Sequence, residues 1–147
     1  MQISDVRNVI AAAAAAVVLP TGAGALTSTG YTPDSISEPH FFCAEVTVDF
    51  DKTMGRGQDE LEITARCLVG RQDDRSAQEV LDLLLSGSGA ASLKAAIEAV
   101  RRTPTLLAVA DDLHVKRVQG YRWYEHQNTT YIGAELIIRV IGDGSTT

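Results

Sequence analysis

Two stretches in the first half of the chain alternate apolar and polar positions with a period of two. In 41–50, Phe42, Ala44, Val46, Val48 and Phe50 alternate with Cys43, Glu45, Thr47 and Asp49. In 59–69, Leu61, Ile63, Ala65, Cys67 and Val69 alternate with Glu60, Glu62, Thr64 and Arg66. Successive side chains of a strand point to opposite faces, so each stretch predicts a strand with one wet face, and the two together predict an antiparallel pair. The connection between them contains Gly55 and Gly57 and is longer than a minimal hairpin turn. A third strand is predicted over Leu113–Glu125, with a less regular alternation, and a fourth over Thr130–Ile141, with Gln127-Asn128 as the turn between them. The fourth places Ile132, Ala134, Leu136, Ile138 and Val140 on one face and Tyr131, Glu135, Ile137, Arg139 and Ile141 on the other. Two isoleucines on that second face predict that it is partly covered, by a helix or by another subunit.

Elsewhere the apolar residues recur every three or four positions. Val6, Val9, Ile10, Ala13 and Val17 predict a helix over 4–19, capped by Ser4 and ended by Pro20. Ala77, Val80, Leu81, Leu84 and Leu85 predict a second helix, capped by Asp73 or Asp74 and broken at Ser86-Gly87-Ser88-Gly89. Leu93, Ala96, Ile97 and Val100 predict a third behind Ser92, with Pro104 closing the segment. Residues 20–39 have no periodicity and read as an extended connection; 143–147 read as a mobile polar tail. The order helix, two strands, two helices, two strands predicts one α+β domain over 1–147, its core in 40–142. Its architecture is a four-stranded, mainly antiparallel sheet with helices packed on one face.

Charge narrows the function. The net charge is −6, and the basic residues, Arg56, Arg66, Arg71, Arg101, Arg102, Lys116, Arg117, Arg122 and Arg139 among them, never run longer than two. An acidic chain without a basic cluster is not a reader of DNA sequence. The apolar run Val9–Leu19 is too short to span a bilayer, which takes about 20 residues. With small residues after it, the run resembles a secretory signal, but Asp5 offsets Arg7 and no lysine precedes it, so a folded amphipathic helix is the expectation.

No arrangement of residues spells out a reaction. Cys43 and Cys67 are too few for a disulfide scaffold, and their strand phases set them on opposite faces; both are expected to be reduced. His40, His114 and His126 lie at no metal-ligand spacing. Asp73-Asp74 precedes a helix and Asp111-Asp112 a strand, where capping and turns use such side chains. Gly55-Arg56-Gly57 lacks the following Lys-Ser/Thr of a phosphate loop. Neither a metal nor a cofactor is expected, and the chain is not expected to be an enzyme. Tyr121, Trp123, Tyr124 and Tyr131 read either as core or as interface anchors.

Three stretches carry a resemblance: Thr53–Ile63; Leu68–Gln78 leading into Leu81-Asp82-Leu83-Leu84; and Tyr131-Ile132-Gly133-Ala134-Glu135-Leu136. Together, in order over about 41–141, they resemble the tail terminator proteins of long-tailed phages infecting actinobacteria, which are also described as minor tail or head-to-tail connector proteins. The resemblance implies a structural virion protein without catalytic residues. It implies a hexameric ring that caps the tail tube, stops its growth and meets the head-neck connector, with genome DNA passing through without specific binding. A head-closure or adaptor ring of the same neck is the alternative, and an exported bacterial protein a more distant one. On this reading Lys52, Thr53, Met54, Gly55, Arg56, Gly57 and Gln58 form a partner-contact loop. Glu45, Glu60 and Glu62 are the candidates to face the channel.

Overall fold

The computed structural model describes residues 2–20, 25–34, 39–50, 58–71 and 75–143. The order of elements is α1 (Ile3–Ala14), β1 (Thr27–Thr29), β2 (His40–Asp49), β3 (Gln58–Arg71), α2 (Arg75–Leu84), α3 (Leu93–Glu98), α4 (Pro104–Leu107), β4 (Asp112–His126) and β5 (Thr129–Asp143). The class is α+β. The five strands form one sheet in the order β1-β2-β3-β5-β4. β1 pairs parallel to β2, and the other three pairings are antiparallel.

The sheet differs from the expectation by one strand. Thr27–Thr29 leaves the 20–39 connection to pair with His40–Phe42, which makes the sheet mixed. No periodicity announces a three-residue strand, and long-range contacts hold it. Ser28 donates its hydroxyl to the Ala11 carbonyl at 2.7 Å, and Arg7 donates to the carbonyls of Gly30 and Cys43 at 3.1 and 3.0 Å. His40, in turn, hydrogen-bonds the hydroxyls of Thr27 and Thr29 through its two ring nitrogens.

All four helices lie on one face. Val6, Ile10 and Ala14 of α1, Leu81 and Leu84 of α2, Leu93 and Ile97 of α3, and Leu106 of α4 pack with Leu61, Ile63, Ala65, Leu113, Ala134, Leu136, Ile138 and Val140 of the sheet. Each fully buried Leu or Ile contributes about 1.5–3 kcal/mol, and this face therefore dominates stability. The opposite face carries no helix among the described residues.

Three boundaries move for identifiable reasons. The first helix begins at Ile3 with Gln2 as its uncapped N-terminal flank, so Ser4 lies inside the first turn and caps nothing. It ends at Ala14, not at 19, because the Val18 N–H goes to the Ala90 carbonyl at 2.9 Å and Val17 folds into the core. Pro104 opens α4 rather than closing a segment; it sits at the first turn behind the cap Thr103, where a missing N–H loses no bond. Ser92 caps α3 as expected, accepting from the Ala95 N–H at 3.1 Å. Asp73, Asp74 and the 144–147 part of the expected tail lie outside the described residues.

The phase of β2 also changes within the strand. Its register shifts between Cys43 and Glu45. A bulge of one residue moves every side chain beyond it to the other face. Phe41 and Cys43 therefore join Val46 and Val48 on the helix-covered side, while Phe42 and Ala44 belong to a small cluster on the open side with Leu68, Tyr124 and Tyr131. Cys43 and Cys67 consequently lie in the same core, not on opposite faces. Phe50, expected on the apolar face, is exposed at the strand's end. Shifts at Val115/Arg117 and Gln119/Arg122 in β4 explain its irregular alternation.

Candidate functional site

The open face of the sheet is the surface that the fold leaves to do something. β3 and β5 form its middle and β2 and β4 its flanks, and the period of two puts Glu60, Glu62, Thr64 and Arg66 beside Glu135, Ile137, Arg139 and Ile141. A run of polar contacts crosses it. Glu45 on β2 accepts from Arg66 Nη2 at 3.3 Å; Arg66 Nε donates to Glu135 Oε2 at 3.0 Å. Gln119 Nε2 donates to Glu135 Oε1 at 3.4 Å, and Arg117 Nε donates to Gln119 Oε1 at 3.0 Å. The chain of contacts thus runs from one side of the sheet to the other, with an acid at the β2 end and a base at the β4 end. Two more ion pairs flank it, Arg139–Glu60 at 2.7 Å and Lys116–Glu62 at 3.6 Å.

These pairs revise the expected role of the three glutamates. The structure does bring Glu45, Glu60 and Glu62 to one face, but each has a cation beside it. The Glu60 side chain is only 11% exposed, and Glu135, which was not singled out, is buried at 8%. Ile137, on the same face, is 2% exposed although no helix covers it among the described residues. Of the expected contact loop, Lys52, Thr53, Met54, Gly55, Arg56 and Gly57 lie outside the described residues. Gln58 is not loop: it begins β3 opposite Asp143, and its amide donates to Asp111 Oδ2 at 3.3 Å.

The aromatic residues of the second hairpin split between the two readings. Tyr124 and Tyr131 are buried in the small open-side cluster; the Tyr124 hydroxyl donates to the Gly120 carbonyl at 2.6 Å, and the guanidinium groups of Arg66 and Arg122 lie over its ring. Tyr121 and Trp123 are exposed at 45% and 57%. Gly120, at φ 64°, makes the bulge that turns them outward. With Gln78, Arg122 and Ile132 they line a shallow cleft of about 380 Å³, and the Tyr121 hydroxyl donates to Asp82 of α2 at 3.0 Å.

No group of three or more His, Cys, Asp or Glu side chains among the described residues is arranged to hold a metal ion. Burial pushes the thiols of Cys43 and Cys67 up to about 12, so neither is a thiolate near neutrality. His40 is held below its ordinary value, first by burial and then by nearby His126, whose Nε2 contacts the Pro33 carbonyl at 2.9 Å. Asp112 pairs in fork geometry with Arg101 at 2.9 and 3.0 Å, and this bond keeps its carboxyl below the usual range. Glu98 accepts from Lys94 at 2.7 Å and from the Val115 N–H at 2.8 Å, tying α3 to β4. No helix among the described residues is long and apolar enough to cross a membrane. Compared with models of known protein families and with curated proteins, the chain matches none.

Proposed function

We propose that this chain is a structural virion protein, a tail terminator that assembles into a hexameric ring. The ring caps the tail tube of a long-tailed phage and joins it to the head-neck connector. One observation carries the reading. The second and third of the stretches that resemble tail terminators, far apart in the sequence, lie together in the fold. Leu68 pairs with Gly133, Gly70 with Ile132 and Arg71 with Tyr131, and α2 packs across β3 and β5. Gly133 is required at that junction, since a Cβ there would run into the Cys67 carbonyl oxygen and the Leu68 side chain. The second and third stretches are thus one packing unit, and the described part of the first, 58–63, pairs further along the same strand β5, with 138–143. Burial of Val6, Ile10 and Ala14 in the main core makes α1 a working part of the fold, which favours this reading over a cleaved export signal.

The partner-contact loop is the segment between β2 and β3. The β2–β3 pairing holds the two ends of that segment as far as Asp49 and Glu60. Replacing residues 52–57 with an Asn-Gly turn is expected to leave unfolding unchanged and to abolish completion of tails, read by electron microscopy of particles. Normal infectious particles from the variant would refute the contact role. Native mass spectrometry of the protein bound to tail tubes should give six copies per tube end; a single copy there would refute the ring.

A further inference from the structure

β4 is the last strand of the sheet, so one of its sides pairs with β5 and the other has no strand beside it among the described residues. We propose that this free edge, over 117–123, takes an extended segment of a partner protein in which acidic and apolar side chains alternate. The segment adds a sixth strand to the five-stranded sheet, its acids against Arg117 and Arg122 and its apolar side chains against Val118 and Trp123. The proposal goes beyond the ring reading and holds whether or not copies of the chain form a ring.

The register sorts the edge into two faces. Glu98 of α3 takes the Val115 N–H; beyond it, 116–119 and 121–123 are exposed. Arg117, Gln119 and Arg122 pair with Ile137, Glu135 and Gly133 and stand on the open face. Val118 and Trp123 pair with Leu136 and Ile132, whose side chains lie in the main core, and so stand on the helix side. The bulge at Gly120 adds Tyr121 to that side, where its hydroxyl reaches Asp82 of α2. A sheet edge that faces water is ordinarily protected by charge. This one is charged on its open face and leaves Val118, Tyr121 and Trp123 exposed on the other, above the shallow cleft that reaches Gln78 and Ile132.

Charge selects the occupant. Lys116 is engaged by Glu62, and Glu135 beside Gln119 is held by Arg66. Arg117 donates to the Gln119 amide oxygen and Arg122 lies over the Tyr124 ring; neither has a carboxylate partner among the described residues. In a chain of net charge −6, these two guanidinium groups make a local preference for acid. Their β5 partners, Ile137 and Gly133, differ by four positions, so acids four residues apart on an added strand reach both. Asp82 and Glu125 lie on the helix side and keep the partner's acids off it, so apolar side chains fall there. A second copy of β4 would bring arginines toward arginines and is disfavoured. Main-chain bonds then hold the segment, and the alternate side chains give it specificity.

Trp123 is the only tryptophan in the chain, so its emission reports occupation of the edge directly. The probe is a synthetic peptide of about ten residues in which glutamate alternates with leucine. A second peptide has lysine in place of glutamate, and a third carries proline at its centre. The full chain is titrated with each at about 0.15 M salt. The glutamate probe is expected to shift the emission to the blue, to slow amide exchange over 117–123, and to bind about ten-fold tighter than the lysine or proline probe. Equal binding of the glutamate and lysine probes, or protection only outside 117–123, would overturn the proposal. The double variant Arg117→Glu/Arg122→Glu should reverse the preference and take the lysine probe; one that still prefers glutamate removes the two arginines from the site. A blue shift on self-association without any probe would give the edge to a second copy. Displacement of the glutamate probe by an equal concentration of short duplex DNA would give it to nucleic acid, and either result overturns the acidic segment.

Discussion

At the scale of single residues, close approach and paired charge decide what can be changed. Gly133 has no room for a Cβ against Cys67, so Gly133→Ala is expected to lower stability by about 1–3 kcal/mol in urea denaturation, the usual effect of overpacking. Glu135 presents the opposite problem. Its carboxylate is buried and depends on Arg66, so Arg66→Ala should destabilise by about 3 kcal/mol by leaving a charge without its partner. Adding Glu135→Leu to that variant should recover most of the loss, and a double variant as unstable as the single would show that packing rather than charge was lost. Acid titrates a different pair of groups. The bond from Arg101 lowers Asp112 against an opposing effect of burial; for Glu98, burial alone would raise the carboxyl, but hydrogen bonds from Lys94 and the Val115 N–H and nearby positive charge outweigh it. A carboxyl lowered in the folded state stabilises the protein above its unfolded value, about 4, and that contribution disappears as pH falls through the folded value. The double variant Asp112→Asn/Glu98→Gln should therefore lose less stability than the parent between about pH 5 and pH 3, followed by urea midpoints at each pH. The buried acid Glu60 was legible in sequence only as a polar position of a strand, because alternation reports a face and not which arginine folds over it.

At the scale of elements, turns and bulges set the geometry. Gln127 and Asn128 both have positive φ, 50° and 65°, in the two-residue turn of the β4–β5 hairpin. Such a turn favours Asn-Gly, since glutamine in the left-handed region carries a steric penalty. Gln127→Asn with Asn128→Gly should stabilise the protein by about 1 kcal/mol, seen as a higher urea midpoint with an unchanged slope. The turn was readable from its residues, and so were the long strands and the helix behind Ser92. The bulge at Cys43/Glu45 was not. A strand that changes phase midway still looks alternating, because Phe41 and Phe42 are both apolar and the alanine at 44 suits either face. β1 was missed because three residues carry no period, and its position follows from Arg7, Ser28 and His40 reaching it from elsewhere in the chain.

At the scale of the whole molecule, the two faces of the sheet have different work. One holds the helices and the core. The other carries paired charges, with Glu45 and Glu135 set against Arg66, Glu60 against Arg139 and Glu62 against Lys116. In a chain of net charge −6, a wall whose cations Arg66, Arg139 and Lys116 are already paired with glutamates offers little to a phosphate backbone. Duplex DNA is therefore expected to bind more weakly than micromolar at about 0.15 M salt, in a fluorescence titration that includes a low-salt arm. Submicromolar binding that persists at that salt would mean that the proposed ring grips the genome instead of letting it slide. Exposed Tyr121 and Trp123 lie beside α2, away from this wall.

The alternation and spacing of apolar residues were enough to determine the α+β class, four of the five strands among the described residues and, apart from their ends, the helices over Ile3–Ala14, Arg75–Leu84 and Leu93–Glu98. Those features are local: a period, a cap or a turn residue acts within a few positions and can be read there. The tertiary structure alone decided the fifth strand, the flip of Phe42 and Ala44 to the open face, the end of the first helix at Ala14 and the pairing of Glu45, Glu60, Glu62 and Glu135 on the open face. Each of these depends on partners tens of residues away, such as Arg66 with Glu135 or Glu60 with Arg139, and a bond between distant side chains leaves no period in the sequence.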